Sequence, residues 1–562
     1  MTPAALAARA RAPRLRPDLW QLMATAIAVA MLLPLLALGW SALRGSEGLW
    51  SHIAVYVLPR SALNTVLLLA GVGALVVSIG TGAAWLVTAY ELPGRRFASW
   101  ALLLPLAVPT YIVAFAYLDL LHPLGPVQGA LRALLGIDSP RDFRLPDIRS
   151  LAGCILLLGF VLYPYVYLTT RAMFMTQAAS LLEAARSLGA SPLRVFRRVA
   201  LPMARPAIAI GAVLALLETL NDIGASEFLG VQTLTVAVYT TWVTRSDLPG
   251  ASQIALAMLA IVVVLVVVER YGRRRQRYSA TQRPRPMRPL RLAGPRAWAA
   301  LALALAPVLV GFAVPAAYLA WETVERLGNG GISPQLLESA RNTLLVALAA
   351  TLVTVAAGLA VVWALRLAQG RRHARMAALN LRVASLGYAV PGTVLAIGML
   401  VPLAWFDDGA NAVIQAFGGA PRMVLMGSVT ALVVAYTLRF LAISAGGIEA
   451  GLTRIPRSLD QAAASLGKSP GAALRRVHLP LLAPAMAAAA LLVFVDTMKE
   501  LPATLLLRPL NFETLATWLY AEASRGTYEE GAVAALMIVL VGLLPVVLLA
   551  RTGQNFGRER LS

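Results

Sequence analysis

The sequence predicts an all-α integral membrane protein, with about twelve transmembrane helices as two parallel six-helix repeats. Three observations predict it. Of the 562 residues, 59% are hydrophobic and 14% are charged. Apolar runs of about 18 or more residues recur, each long enough to cross a hydrocarbon core of about 30 Å as a helix. They are continuous rather than alternating, which selects helices over barrel strands. Second, residues 183–207 (EAARSLGASPLRVFRRVALPMARPA) recur without a gap as residues 461–485 (QAAASLGKSPGAALRRVHLPLLAPA), with 14 of 25 positions identical. Third, the net charge of +22 is carried by arginines at the ends of apolar runs. Arg9, Arg11, Arg14 and Arg16 precede the first run, nine arginines lie between Arg273 and Arg296, and Arg551, Arg558 and Arg560 close the chain. That placement is the bias that keeps loops on the cytoplasmic side, and it argues against nucleic acid as the partner.

In chain order, spans are expected near 20–43, 61–90, 98–121, 150–174, 204–228 and 251–270, then near 297–321, 339–366, 381–405, 422–447, 481–508 and 531–551. Trp20–Leu43 is too long for a typical signal-peptide core, so an uncleaved first span is expected. The Arg- and Pro-rich linker 271–296 separates a first repeat, 1–270, from a second, 297–562. With both termini and the linker inside, the repeated segments and the loops at 91–96 (ELPGRR) and 369–375 (QGRRHAR) also fall inside. An even number of spans per half gives the halves the same orientation, a parallel repeat. Ser61–Thr65 matches Ser339–Thr343, Glu218-Thr219-Leu220 matches Asp496-Thr497-Met498, and Thr233-Leu234 matches Thr514-Leu515, so the duplication is domain-wide.

The repeated segment reads as a helix–turn–helix elbow. Ala184 and Ala185 leave a small face on a short helix, Gly189 suits the left-handed residue that ends it, and Ser191-Pro192 suits the start of the next. A basic helix follows, with Leu201-Pro202 expected to stop it before the next span. Gly467, Ser469, Pro470, Leu479 and Pro480 hold the same places in the second copy. Caps and positive charge explain the residue types but not the gapless repetition, so both elbows are expected to dock onto something. The pattern Glu183-Ala184-Ala185, then Gly189, then Leu201-Pro202 resembles the EAA loop of ABC importer permeases. The corresponding loops here run over about 176–203 and 448–480.

The resemblance covers nearly the whole chain and implies the type I ABC importer (MetI-like) permease fold. It implies two cytoplasmic ATPase subunits docked on the elbows, carrying ATP and Mg²⁺, and a periplasmic binding protein that delivers substrate. It also implies a multi-pass bacterial inner-membrane protein with cytoplasmic termini. The coupling residues it marks are Glu183, Ala184, Ala185, Gly189 and Pro192, with Gln461, Ala462, Ala463, Gly467 and Pro470 in the second copy. Gln461 departs from the motif's glutamate, so the two contacts are expected to be unequal. No cofactor is expected on this chain. Gly467-Lys468-Ser469 resembles the end of a phosphate loop, but residue 462 is alanine where that loop needs glycine, and no strand precedes it.

Ionisable residues inside spans are costly and mark a pathway or a buried pair. They cluster after each elbow, as Glu218, Asp222 and Glu227, and as Asp496, Lys499 and Glu500. Glu218 and Asp222 are four apart, as are Asp496 and Glu500, so each pair is expected to share a helix face. Two readings stand: the acids line a translocation path suited to hard cations, or they pair with arginine or Lys499 to hold the halves together. The stretches ETLNDIGASEFLG and DTMKELPATLLLRP look like those of fused ferric-iron permeases. Thiamine, polyamine and aminophosphonate importers have related permeases. Tyr163 and Tyr165 add oxygen-bearing side chains, with interfacial anchoring as their plainer role.

A major facilitator-type secondary transporter would also have two six-span halves, and ELPGRR is faintly similar to its loop motif, yet it would not need the elbows. No metal site is assigned. Cys154 is expected in the core, and His52, His122, His373 and His478 show no ligand spacing. No nucleophile–base set is found, so a transport subunit is expected rather than an enzyme.

Overall fold

The computed structural model describes residues 19–46, 48–176, 184–274, 289–369 and 373–558. It is all-α but for one parallel pair of two-residue strands, Tyr90–Glu91 with Leu290–Arg291. That pair ties the end of the linker to the ELPGRR loop, and the exposed Arg291 guanidinium lies 3.2 Å from Glu91. Among the described residues, eleven helices are long and apolar enough to cross a membrane. A bent pair, Arg95–Ala107 with Thr110–Leu120, makes twelve if it is one span.

Four expected spans differ from the structure, each at a break. The third turns by 90° at Pro109, whose extended backbone (φ −57°, ψ 145°) starts a new helix at Thr110. The ninth is not one run over 381–405. A short helix, Ala374–Ala384, leads to Pro391 (φ −57°, ψ 144°), which starts Gly392–Ala416. The fifth stops at Asn221 and the eleventh at Met498, each followed by a helix too short to cross, Gly224–Phe228 and Pro502–Leu507. The second and eighth start earlier than expected, inside helices that run from Trp50 to Ala89 and from Pro334 to Ala368.

The repeated residues outside the elbows make the same contacts in both halves. Thr65 and Thr343 each accept a hydrogen bond from the backbone N–H of the matching leucine, Leu234 at 2.9 Å and Leu515 at 2.8 Å. Asn64 and Asn342 each donate to a backbone carbonyl just ahead of those leucines, Gln232 and Glu513, both at 3.1 Å. The Ser-Ala-x-Asn-Thr repeat thus clamps the segment that returns after each helix break. An unpaired N–H at that depth would cost several kcal/mol, of order 2 or more.

The first helix of each half crosses to the other half. Leu19–Leu43 packs on Gly392–Ala416 and Ala374–Ala384, and Asn380 donates to Thr25 Oγ1 at 2.9 Å. Pro295–Asn329 packs on the first half, where Tyr117 donates to the Val310 carbonyl at 2.8 Å and Tyr318 donates to Asp119. Glycine permits both crossings: a Cβ on Gly398 would lie 2.9 Å from the Pro34 carbonyl carbon, and one on Gly311 would lie 3.0 Å from that of Phe160. Lipid gives helices no hydrophobic incentive to associate, so such close backbone approach carries the packing. Cys154 is buried in the core, as its apolar surroundings suggest.

Candidate functional site

A central cavity of about 110 Å³ lies where the helix breaks of both halves meet. Glu218 and Asp222 from the first half and Asp496 and Glu500 from the second all line it. So do Thr110, Tyr111, Tyr165, Asn221, Tyr388, Arg439 and Lys499. Glu227 is not among the lining residues. Its carboxylate accepts a hydrogen bond from Tyr520 at 2.5 Å, and Phe228 stacks on the same tyrosine with centroids 5.6 Å apart.

The expectation that Glu218 and Asp222 share a helix face is corrected. Asp222 follows the last helical residue and has extended backbone (φ −71°, ψ 121°). Its Oδ1 accepts from the Ser226 N–H at 2.9 Å and from the Ser226 hydroxyl at 3.3 Å, and its Oδ2 accepts from Thr110. Glu500 sits beyond the end of its helix in the same way, and its Oε1 accepts from the Ala503 N–H at 3.0 Å. Both carboxylates therefore satisfy the free N–H groups of the short helix that follows. Asn221 serves a third N-terminus, accepting from the Gly392 N–H at 2.8 Å across the two halves. A Cβ at Gly392 would clash with Arg439 Nη1 and lie 2.9 Å from Glu500 Oε1, so a side chain at this helix start would have to displace that ion pair.

Pairing across the halves is also corrected. Both ion pairs of the cavity lie inside the second half: Arg439 Nε to Glu500 at 3.2 Å, and Lys499 Nζ to Asp496 at 2.8 Å. Among the described residues, neither Glu218 nor Asp222 has a cation at ion-pair distance. Glu218 accepts from the Tyr388 hydroxyl at 3.2 Å, and Tyr111 donates to the Lys499 carbonyl at 3.3 Å. Hydrogen bonds, not ion pairs, join the halves here. Tyr165 lines the cavity and Tyr163 is fully buried, so neither anchors an interface. Arg439 was overlooked in the sequence, although a lone arginine in the run 429–453 is the intramembrane charge that asks for a role.

Both elbows form over their described residues; in the first, residues 177–183, Glu183 among them, lie outside these. In the first, Gly189 has φ +80°, its N–H bonds the Arg186 carbonyl at 3.0 Å, and the Ala190 N–H bonds that of Ala185 at 3.1 Å. In the second, Gly467 has φ +69° with the matching pair, Gly467 to Ala464 and Lys468 to Ala463, both at 3.0 Å. This is the Schellman ending that the glycines suggest. Pro192 and Pro470 each start the next helix. Gln461 and Ala462 are exposed, whereas Ala463 is buried and Ala185 half-buried, so the small face packs inward. Leu188 is 87% exposed and Leu466 76%, two matched apolar side chains at the elbow tips that no described residue covers.

Leu201-Pro202 does not stop the second elbow helix. The chain stays helical from Pro192 to Asn221 through a π turn, in which the Leu201 N–H bonds the Phe196 carbonyl five residues back. Leu479 bonds Leu474 likewise, ahead of Pro480. The second elbow carries an extra tie. Asp460 lies 2.8 Å from Arg366 and 2.6 Å from His478 Nε2, and His478 packs on Trp363 with ring centroids 4.8 Å apart. Asp460 and His478 stand eighteen positions apart in no recognisable motif, which is why the sequence did not show that contact.

The chain is 27% identical to the Fe(3+)-transport system permease protein FbpB 2 of Haemophilus influenzae, over 95% of this chain and 99% of that one. It is 26% identical to the probable ABC transporter permease protein y4fN of Sinorhizobium fredii, over 94% of each. The putative 2-aminoethylphosphonate transport system permease protein PhnU of Salmonella typhimurium matches at 31% over 44% of this chain and 89% of that one. These matches leave no place for the facilitator reading. The model of the binding-protein-dependent transport system inner membrane component matches in two segments, 22–278 and 361–555, and the chain belongs to that family of transport permeases, in duplicated form.

Proposed function

We propose that this chain is the transmembrane permease subunit of an ATP-driven importer that takes ferric iron from a periplasmic binding protein and passes it inward by alternating access. One observation carries the reading. In a chain similar along nearly its whole length to a Fe(3+)-transport permease, each half brings an acid one turn before a helix break into one shared cavity. Carboxylate and phenol oxygens suit a hard, highly charged cation. Two separate ATPase subunits, carrying ATP and Mg²⁺, dock on the elbows at 184–198 and 462–476, and the termini lie on that cytoplasmic side. The exposed Leu188 and Leu466 and the matched glycine turns support two contacts of one kind. Closure of the ATPases then moves both elbows, and each elbow runs as one helix into the acids at its far end.

A second reading is transport of an aminoalkylphosphonate. Arg439 and Lys499 line the same cavity, Arg439 Nη1 has no acceptor among the described residues, and the phosphonate permeases match at similar identity. The test is uptake of radiolabelled ferric iron by iron-starved cells lacking the gene, complemented with the intact or the Gly189→Val form. Valine at φ +80° costs of order 1–2 kcal/mol in the elbow turn. Iron uptake should return with the intact chain and stay several-fold lower with the variant at equal membrane abundance. Restoration of 2-aminoethylphosphonate uptake instead would transfer the assignment to the second reading. If neither returns, thiamine and polyamines are next.

A further inference from the structure

The two walls of the cavity are not equivalent, and the difference is one lysine. The duplication places Lys499 opposite Asn221, both 278 residues apart like the elbows. Each sits where its long helix ends, Asn221 as the last residue of Leu201–Asn221 and Lys499 just past Met498. Asn221 is committed to the Gly392 N–H across the halves. A neutral side chain therefore serves at this place, and the fold does not need a positive charge there.

The two ion pairs also differ. Arg439 and Glu500 have side chains only 10% and 4% exposed, and Glu500 is further held by the Ala503 N–H. Lys499 and Asp496 are 30% and 26% exposed and reach each other over three residues of one chain segment. Both pairs line the cavity, but the first is almost wholly buried and the second is the more open. A lysine ammonium is a compact charge on a flexible stem, able to leave one carboxylate and return. An ammonium and a multivalent cation brought to the same cavity acids repel each other strongly.

We propose that Lys499 is a tethered counter-cation: its ammonium neutralises the Asp496 wall of the empty cavity, and a multivalent cation passes by displacing it, with Glu218 as first acceptor. The proposal rests on the reading of the cavity as a cation path. Glu218 is met first because, among the described residues, no cation lies at ion-pair distance from it and its carboxylate accepts from the Tyr388 hydroxyl. The returning ammonium then favours departure, so that the site does not trap the ion. Lys499 sets affinity through Asp496 and acts as a specificity-determining residue.

The test uses the purified full-length chain in nanodiscs with Tb³⁺ as the probe. Tyr111, Tyr165 and Tyr388 line the cavity and sensitise its luminescence. Lys499→Ala should bind Tb³⁺ about tenfold or more tightly than the intact chain, the change expected from removing a like charge at contact range. Lys499→Arg should bind as weakly as the intact chain, and Glu218→Gln placed in the Lys499→Ala chain should abolish the gain. If Lys499→Ala does not accumulate, Lys499→Gln takes its place, since it keeps a donor to Asp496. Binding that depends on Glu218 but is unchanged or weaker in Lys499→Ala overturns the counter-cation and leaves the path reading standing. If no chain shows Glu218-dependent binding, both fall.

Discussion

Four carboxylates line the cavity, and they divide into two kinds of work. Asp222 and Glu500 are spent on helix N-termini and hydroxyl or guanidinium partners, whereas Glu218 and Asp496, one turn earlier, face the open space. Their mutants should separate accordingly. Glu218→Gln keeps the acceptor for Tyr388 but removes the charge, so uptake should fall about tenfold or more with unchanged thermal stability. Asp222→Ala removes a cap and strands the Ser226 N–H, so it should cost about 1–3 kcal/mol and lower the melting temperature of the purified chain. A scanning-fluorimetry measurement in detergent checks both, and equal melting of the two variants would contradict the division. The sequence marked these acids by position alone. It could not sort them, because the sorting depends on Thr110, Tyr388 and Arg439, which other helices bring from far along the chain.

The helices were legible from their apolar runs and the elbows from their turn chemistry, while the breaks were not. Apolar residues resume just beyond Asn221-Asp222 and Lys499-Glu500, so each span reads on in the sequence past the point where its helix stops. Proline misled in the opposite direction. Four π turns occur among the described residues, and each one ends on the residue just before a proline: Leu58 before Pro59, Leu201 before Pro202, Val314 before Pro315 and Leu479 before Pro480. Proline has no N–H to give, and its ring crowds the preceding turn. Widening that turn by one residue relieves the crowding without ending the helix. Read as a stop, Leu-Pro separates elbow from span, whereas in the structure it sets the angle at which one drives the other. Pro480→Ala should let the turn close to ordinary α register and rotate the second elbow by about one residue, roughly 100° of helix. Transport should fall several-fold while the melting temperature holds or rises. Wild-type uptake by that variant would mean that elbow angle carries no coupling.

At the scale of the molecule, the repeat shows two units, yet the packing makes neither one self-sufficient. The first helix of each half lies on the other, and each of the two large cores draws residues from both halves. The duplication was visible in the sequence because the elbows and the Ser-Ala-x-Asn-Thr clamps were kept. The exchange of first helices was not, since nothing in an apolar run says which neighbour it meets. Its one trace is small residues at crossing points, Gly311 and Gly398, where any side chain would push on backbone. Cutting the chain within the linker at 275–288 and producing both fragments together should therefore give a complex that co-purifies through a tag on either fragment. Each fragment produced alone should fail to accumulate, because it lacks the helix that covers its core. Gly398→Val should weaken recovery of the pair, since valine would press on the Pro34 backbone in the partner fragment. Stable accumulation of a lone fragment would show that the halves fold independently and meet only afterwards. The exchanged helices would then be a late docking step rather than part of each core.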